Sequence, residues 1–109
     1  MNFADGRVFT FTPTSATGQF SVEGSEYRVE ISRNHGPMFE SKNARLTYSS
    51  TADLQGQESI KGSSFIGHDT ISIDLNEISH RVMIRGPLES EADNIPIWGY
   101  ATWTKMPGY

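Results

Sequence analysis

A chain of 109 residues without cysteine fits one domain, 1–109, held together by a hydrophobic core and not by disulfides or thiolate metal sites. The formal net charge of −4 argues against a nucleic-acid partner, because phosphates favour a basic surface. Residues 1–5 lack the basic and apolar segments of a signal peptide, and no apolar run approaches the ~20 residues of a membrane helix. We therefore expect a cytoplasmic protein, unless a leader has been removed, that binds neither membranes nor nucleic acid.

Apolar and polar residues alternate with a period of two along most of the chain, which predicts β-strands and no long helix. β-branched and aromatic residues fill the alternating runs, while glycine, proline and asparagine separate them. The predicted strands, in chain order, are 7–12, 18–23, 26–32, 44–50, 58–66, 70–75, 78–85 and 95–104. Eight short strands with mostly short connections favour an all-β antiparallel fold, a small up-and-down barrel, with a two-sheet β-sandwich as the alternative.

The first hairpin with a predictable register lies around Gly24. A glycine at the first central position suits a type II′ turn, which pairs Glu23 with Glu26. This pairing sets Phe20 opposite Val29, so that the turn and the apolar pattern require the same inner face.

A second hairpin is predicted to turn at 76–77, which sets Ile73 opposite His80 on the apolar face. A buried imidazole needs a hydrogen-bond partner, and a structural role is the ordinary explanation of such a histidine. The alternative is that His80 is a polar group inside the barrel, acting as proton donor or general base. The protein would then bind an apolar small molecule or act as a lyase- or isomerase-type enzyme.

The last predicted strand is apolar on both faces. One face carries Ile95, Ile97, Ala101 and Trp103, and the other carries Trp98 and Tyr100. A strand at the surface of an antiparallel sheet normally has one polar face. Gly99, between the two aromatic residues, is typical of a bulge or of a close approach between backbones.

Something is therefore expected to cover Trp98 and Tyr100: the loop 33–43, a partner subunit or a ligand. Met38 and Phe39 in that loop are the candidate neighbouring wall, and Tyr109 is a further candidate contact. These five aromatic and apolar residues form the predicted binding site.

No pattern in the chain indicates a cofactor, a metal site or a catalytic nucleophile. His35, His68 and His80 do not show the spacing of metal ligands, and the acidic segment 89–94 lacks the ordered oxygen spacing of a calcium loop. The sequence thus favours a non-catalytic recognition module. Its expected partner is a second copy of the chain or another protein, and a carbohydrate or small apolar ligand is the further alternative.

Overall fold

The computed structural model describes residues 2–76 and 81–107 and confirms an all-β chain in which every strand pairing is antiparallel. Within these residues, ten strands form one strongly curled, barrel-like sheet. The strands are β1 (Asn2–Thr12), β2 (Ser15–Val22), β3 (Ser25–Arg33), β4 (Glu40–Tyr48), β5 (Gly56–Ser59), β6 (Phe65–Ile66), β7 (Thr70–Asn76), β8 (Arg81–Pro87), β9 (Ile95–Pro96) and β10 (Gly99–Lys105). A single 3₁₀ turn at Thr51–Asp53 precedes β5.

Ten strands replace the eight predicted because two of the predicted strands are interrupted. The predicted strand 58–66 is divided into β5 and β6 by a tight turn, in which the Ser64 N–H donates to the Lys61 carbonyl at 3.0 Å. The predicted strand 95–104 is divided into β9 and β10 at residues 97–98. Both interruptions lie in the segments that join the two sides of the sheet.

The strand order is β5-β10-β3-β2-β1-β4-β8-β7-β6-β9. Within this order β1, β2 and β3 lie next to one another, as expected for strands joined by short connections. β4 then returns to the free side of β1, which gives the spatial order of a Greek key and not of an uninterrupted up-and-down meander. This return places β1 in the middle of the sheet, between β2 and β4.

The segment between β5 and β6 connects the two sides of the curl. The backbone N–H of Ile60 donates to the Gly99 carbonyl in β10, and the N–H of Lys61 donates to the Asp74 carbonyl in β7, both at 2.9 Å. Adjacent residues therefore bond to strands that lie far apart in the strand order, which draws the sheet into a barrel-like curve.

One hydrophobic cluster fills the inside of the curl, and it confirms the alternation predicted for most strands. Its largest fully buried side chains are Phe20, Leu46, Leu54, Ile66, Ile71, Ile73, Leu75, Ile84, Ile97, Val8, Val22 and Val29. Burial of each such side chain contributes about 1.5–3 kcal/mol, so the inner face supplies most of the stability.

The first hairpin has the predicted inner face but a different turn. Glu23 and Gly24 both have positive φ, 50° and 84°, and they form the two central residues of a type I′ turn. Phe20 lies opposite Tyr27 and not opposite Val29. A type I′ turn matches the right-handed twist of the strands, and the changed pairing keeps the same residues inside because it preserves the two-residue period.

The predicted register of the second hairpin is wrong. Ile73 lies opposite Ile84, and Asn76 pairs with Arg81, so the connection is longer than the two-residue turn that was predicted. The observed register pairs two aliphatic side chains, Ile73 and Ile84, whereas the predicted register paired Ile73 with a histidine. His80 itself lies outside the described residues.

Candidate binding surface

The predicted site on the last strand is an exposed aromatic pair. Trp98 and Tyr100 have 59% and 48% of their surface exposed, whereas Ile97, Ala101 and Trp103 on the opposite face are buried. The alternation predicted for this strand is therefore observed on both faces. Within the described chain, the two rings form an outward aromatic surface, which we call the β10 surface.

Asn34 fixes the backbone beneath the Trp98 ring. Its side-chain Oδ1 accepts from the Trp98 N–H at 3.0 Å, and its Nδ2 donates to the Pro96 carbonyl at 3.0 Å. Its own backbone N–H donates to the Trp98 carbonyl at 3.1 Å. Three hydrogen bonds involving Asn34 hold the segment before β10 in place, which lowers the backbone entropy that this segment would lose on binding.

Gly99 brings β10 close to β3, as its position between two aromatic residues predicted. It has φ of +139°, and a Cβ at this position would lie 2.0 Å from the carbonyl oxygen of Ser32. Only glycine adopts this conformation without strain. The close approach sets the direction in which Trp98 and Tyr100 leave the sheet.

The side chains beside Tyr100 are short and polar. Tyr100 lies opposite Ser32 in β3 and Ser59 in β5, and the next row along β10 sets Thr102 between Glu30 and Gln57. All of these side chains except Glu30 are neutral. The β10 surface therefore offers flat aromatic area surrounded by hydroxyl and amide groups.

The loop 33–43 reaches this surface through Asn34, whereas Met38 and Phe39 line other grooves. Met38 is 51% exposed, and it lines one groove with residues of β1 and residues 89–90 and a second groove with His68 and residues 91–93. Phe39 is largely buried, and it lines one of these grooves together with Met38. Its role as a wall of the β10 surface stays a prediction. Tyr109 lies outside the described residues.

Arg33 explains why Phe39 is buried. The Arg33 guanidinium lies 5.3 Å from the centre of the Phe39 ring, and its Nη2 donates to the Pro37 carbonyl at 2.8 Å. Arg33 is itself buried, and its Nε and Nη1 have no hydrogen-bond partner among the described residues. Desolvation lowers its pKa from the ordinary value. The alternation of Tyr27, Val29 and Ile31 continues to Arg33, so the two-residue period was the signal for its burial.

The described histidines form no metal site. The His68 Nε2 lies 3.3 Å from Oε1 of Glu91, but both side chains are mostly exposed. His35 is exposed in the loop that follows β3. No group of three or more potential ligands is found in the described part of the chain.

A second exposed aromatic face was missed from the sequence. Phe3 and Phe11 on β1 are 61% and 69% exposed, and Phe9 contacts Phe11 edge-to-face with ring centres 5.1 Å apart. Ala4 and Val8 point into the core from the same strand. The signal was present as phenylalanines at odd positions, alternating with buried residues at even positions. We call this the β1 face.

No protein-family model, curated protein or solved structure matches the chain. In residues 2–76 and 81–107, no helix has the length and apolar character needed to cross a membrane.

Proposed function

We propose that the protein is a non-catalytic recognition module that binds its partner through the β10 surface. The single observation that carries this proposal is the exposure of Trp98 and Tyr100, at 59% and 48%, on a backbone that Asn34 fixes. The favoured partner is a second copy of the chain. Another protein or a carbohydrate is the alternative.

The chemistry of the two rings supports recognition. Tryptophan and tyrosine are enriched among the residues that dominate binding energy, because they bury large rigid area and order only two side-chain torsions. Covering either ring completely would contribute about 1.5–3 kcal/mol. The hydroxyl groups of Ser32 and Ser59 beside Tyr100 can supply the polar rim that such interfaces carry.

Sedimentation velocity from micromolar to millimolar concentration tests the favoured partner. We expect the wild-type chain to self-associate and the double variant Trp98→Ala, Tyr100→Ala to remain monomeric. Phe11→Ala is the control, because it removes an even more exposed ring from a different strand. Truncation of a central interface residue costs about 2 kcal/mol or more, which weakens the dimer by a factor of roughly 30.

A wild-type chain that stays monomeric at every concentration would exclude self-association. A glycan array and the quenching of Trp98 fluorescence by soluble oligosaccharides then test the carbohydrate alternative. Equal weakening of self-association by Phe11→Ala would show that the β10 surface is not the interface.

A further inference from the structure

The β1 face carries a basic groove in addition to its phenylalanines. In the β1–β4 pairing, β4 has a bulge in which two residues, Lys42 and Asn43, lie opposite the single residue Arg7. An open groove of about 700 Å³ lies over the bulge, and its charged lining is Arg7, Lys42, Arg45 and Asp5. Bulges re-aim side chains away from the regular ladder and are frequent at functional sites. We call this the bulge groove.

Positive charge is concentrated at the bulge groove although the chain as a whole carries a net charge of −4. Arg45 lies directly opposite Arg85 in the β4–β8 pairing, an arrangement of like charges that destabilises a sheet when nothing compensates it. Asp5 is the acidic residue in the groove lining. The Glu89 carboxylate also reaches the bulge, where its Oε2 accepts from the Lys42 N–H at 3.2 Å, and Glu40 and Glu89 line the neighbouring groove beside Phe9. The local excess of positive charge fits an anionic ligand.

The arginines of this face are placed against aromatic rings. The Arg45 guanidinium lies 5.2 Å from the centre of the Phe3 ring, and the Arg7 guanidinium lies 4.9 Å from that of Phe9. A guanidinium that stacks on a ring can still donate hydrogen bonds to a carboxylate from its N–H edges. The Arg7 Nε already donates to Gln19 Oε1 at 3.0 Å, so Arg7 offers its Nη groups. Arg45 also faces Asp5, with Nε and Oδ1 3.8 Å apart, but both side chains are mostly exposed and the pair is weak.

We propose that the bulge groove binds an acidic segment of a partner polypeptide. Its carboxylates contact Arg7, Lys42 and Arg45, and its apolar side chains pack on the exposed ring of Phe11. In this complex an external carboxylate takes the place that Asp5 occupies beside Arg45 in the free chain.

A polypeptide fits this face better than a single-stranded nucleic acid. Bases bind such surfaces by stacking on free rings, and here they would compete with the guanidinium groups already placed over Phe3 and Phe9. The acidic remainder of the chain also repels a long polyphosphate beyond the groove, whereas a short acidic segment stays within the basic region.

This proposal is independent of the proposed function, because β3 and β2 separate the β10 surface from β1. The probe is a fluorescent synthetic peptide of alternating glutamate and leucine, with a glutamine–leucine peptide as its uncharged counterpart. Fluorescence anisotropy is measured at low and high salt. We expect the acidic peptide to bind, the glutamine peptide not to bind, and salt to weaken the complex.

Variants identify the groove as the binding site. Arg45→Glu should weaken binding about tenfold or more because it turns an attractive contact into a repulsive one. Asp5→Asn should tighten binding a few-fold, because it removes the carboxylate that competes with the peptide for Arg45. A misfolded variant would not bind more tightly, so this result separates binding from folding. Lys105→Glu, which makes the same change of charge on exposed β10, is the matched control and should leave the dissociation constant unchanged.

The proposal is overturned if the acidic peptide does not bind at low salt, or if Lys105→Glu weakens binding as much as Arg45→Glu. It is also overturned if a single-stranded oligothymidine binds more tightly than the acidic peptide. Failure of self-association in the test of the β10 surface would not affect any of these results.

Discussion

Replacing Gly99 by alanine tests how the structure places its exposed aromatic pair. The backbone of Gly99 has φ of +139°, which L-residues with a side chain rarely adopt. An added Cβ would lie 2.0 Å from the Ser32 carbonyl oxygen and 3.0 Å from the Arg33 Cα. Both neighbours are backbone atoms of β3, so the substitution is accommodated only if the start of β10 moves away from that strand.

The destabilisation has two parts. The strained φ contributes about 1–3 kcal/mol. Moving the start of β10 also weakens nearby backbone hydrogen bonds, including the one from Ile60 to the Gly99 carbonyl, at about 1 kcal/mol each. We expect a total loss of about 2–4 kcal/mol, which lowers the midpoint of thermal unfolding by roughly 10–20 °C in a domain of this size.

Alanine substitutions at two further glycines separate the effect of a strained φ from that of a steric clash at the added Cβ. Gly24 has φ of +84° but open space around its Cβ position, so Gly24→Ala should cost about 1–2 kcal/mol. Gly62 has open space and no positive φ, so Gly62→Ala should be neutral or stabilise by up to about 1 kcal/mol. Urea unfolding followed by the fluorescence of buried Trp103 measures all three variants. The reasoning is refuted if Gly99→Ala destabilises the protein no more than Gly24→Ala does.

Two further predictions concern buried polar side chains. Burial and a 3.0 Å hydrogen bond to Glu23 raise the pKa of Tyr48. The neutral Tyr48 side chain therefore contributes its full stabilisation below the pKa of about 10 that tyrosine has in the unfolded chain. This contribution is lost as the pH rises through the higher pKa of the folded state. Wild type should therefore lose stability more steeply above pH 10 than Tyr48→Phe in alkaline urea titrations; parallel curves would contradict this. Arg33→Met keeps the apolar stem but loses the hydrogen bond to Pro37 and the contact with Phe39. A net loss of about 1–3 kcal/mol and faster amide exchange at residues 34–39 are expected, and unchanged exchange would show that Arg33 does not hold the loop.

The inner face of the sheet was predictable because burial follows a local period. Val29 and Ile31 point inward whatever their cross-strand partners are, and so does Ile73. The registers were not predictable, because a hairpin register depends on the φ angles that the turn residues adopt. Glu23 takes a φ of 50° that a glutamate rarely adopts, which moved the first turn by one residue from the glycine-based prediction.

The candidate site was predictable to the same extent. In an alternating strand, burial of Ile97 and Ala101 places Trp98 and Tyr100 on the outer face. The burial of Phe39 depends on Arg33 and on the path of the loop between them, which no local pattern specifies. The bulge groove depends on the Greek-key return of β4 to β1, because Arg7 and Arg45 come together only through that pairing.

Under the proposed function, stability and recognition are divided between the two faces of β10, and Gly99 connects them. The side chains of Ile97 and Trp103 contribute to the core, whereas Trp98 and Tyr100 are exposed and contribute little to folding. Truncating the exposed rings should therefore abolish binding at unchanged stability. A change at Gly99 acts on the shared backbone, so it should reduce stability and binding together. If the β10 surface binds a partner as proposed, its rings can do so without cost to the fold because β3, and not the rings themselves, fixes the backbone at Gly99.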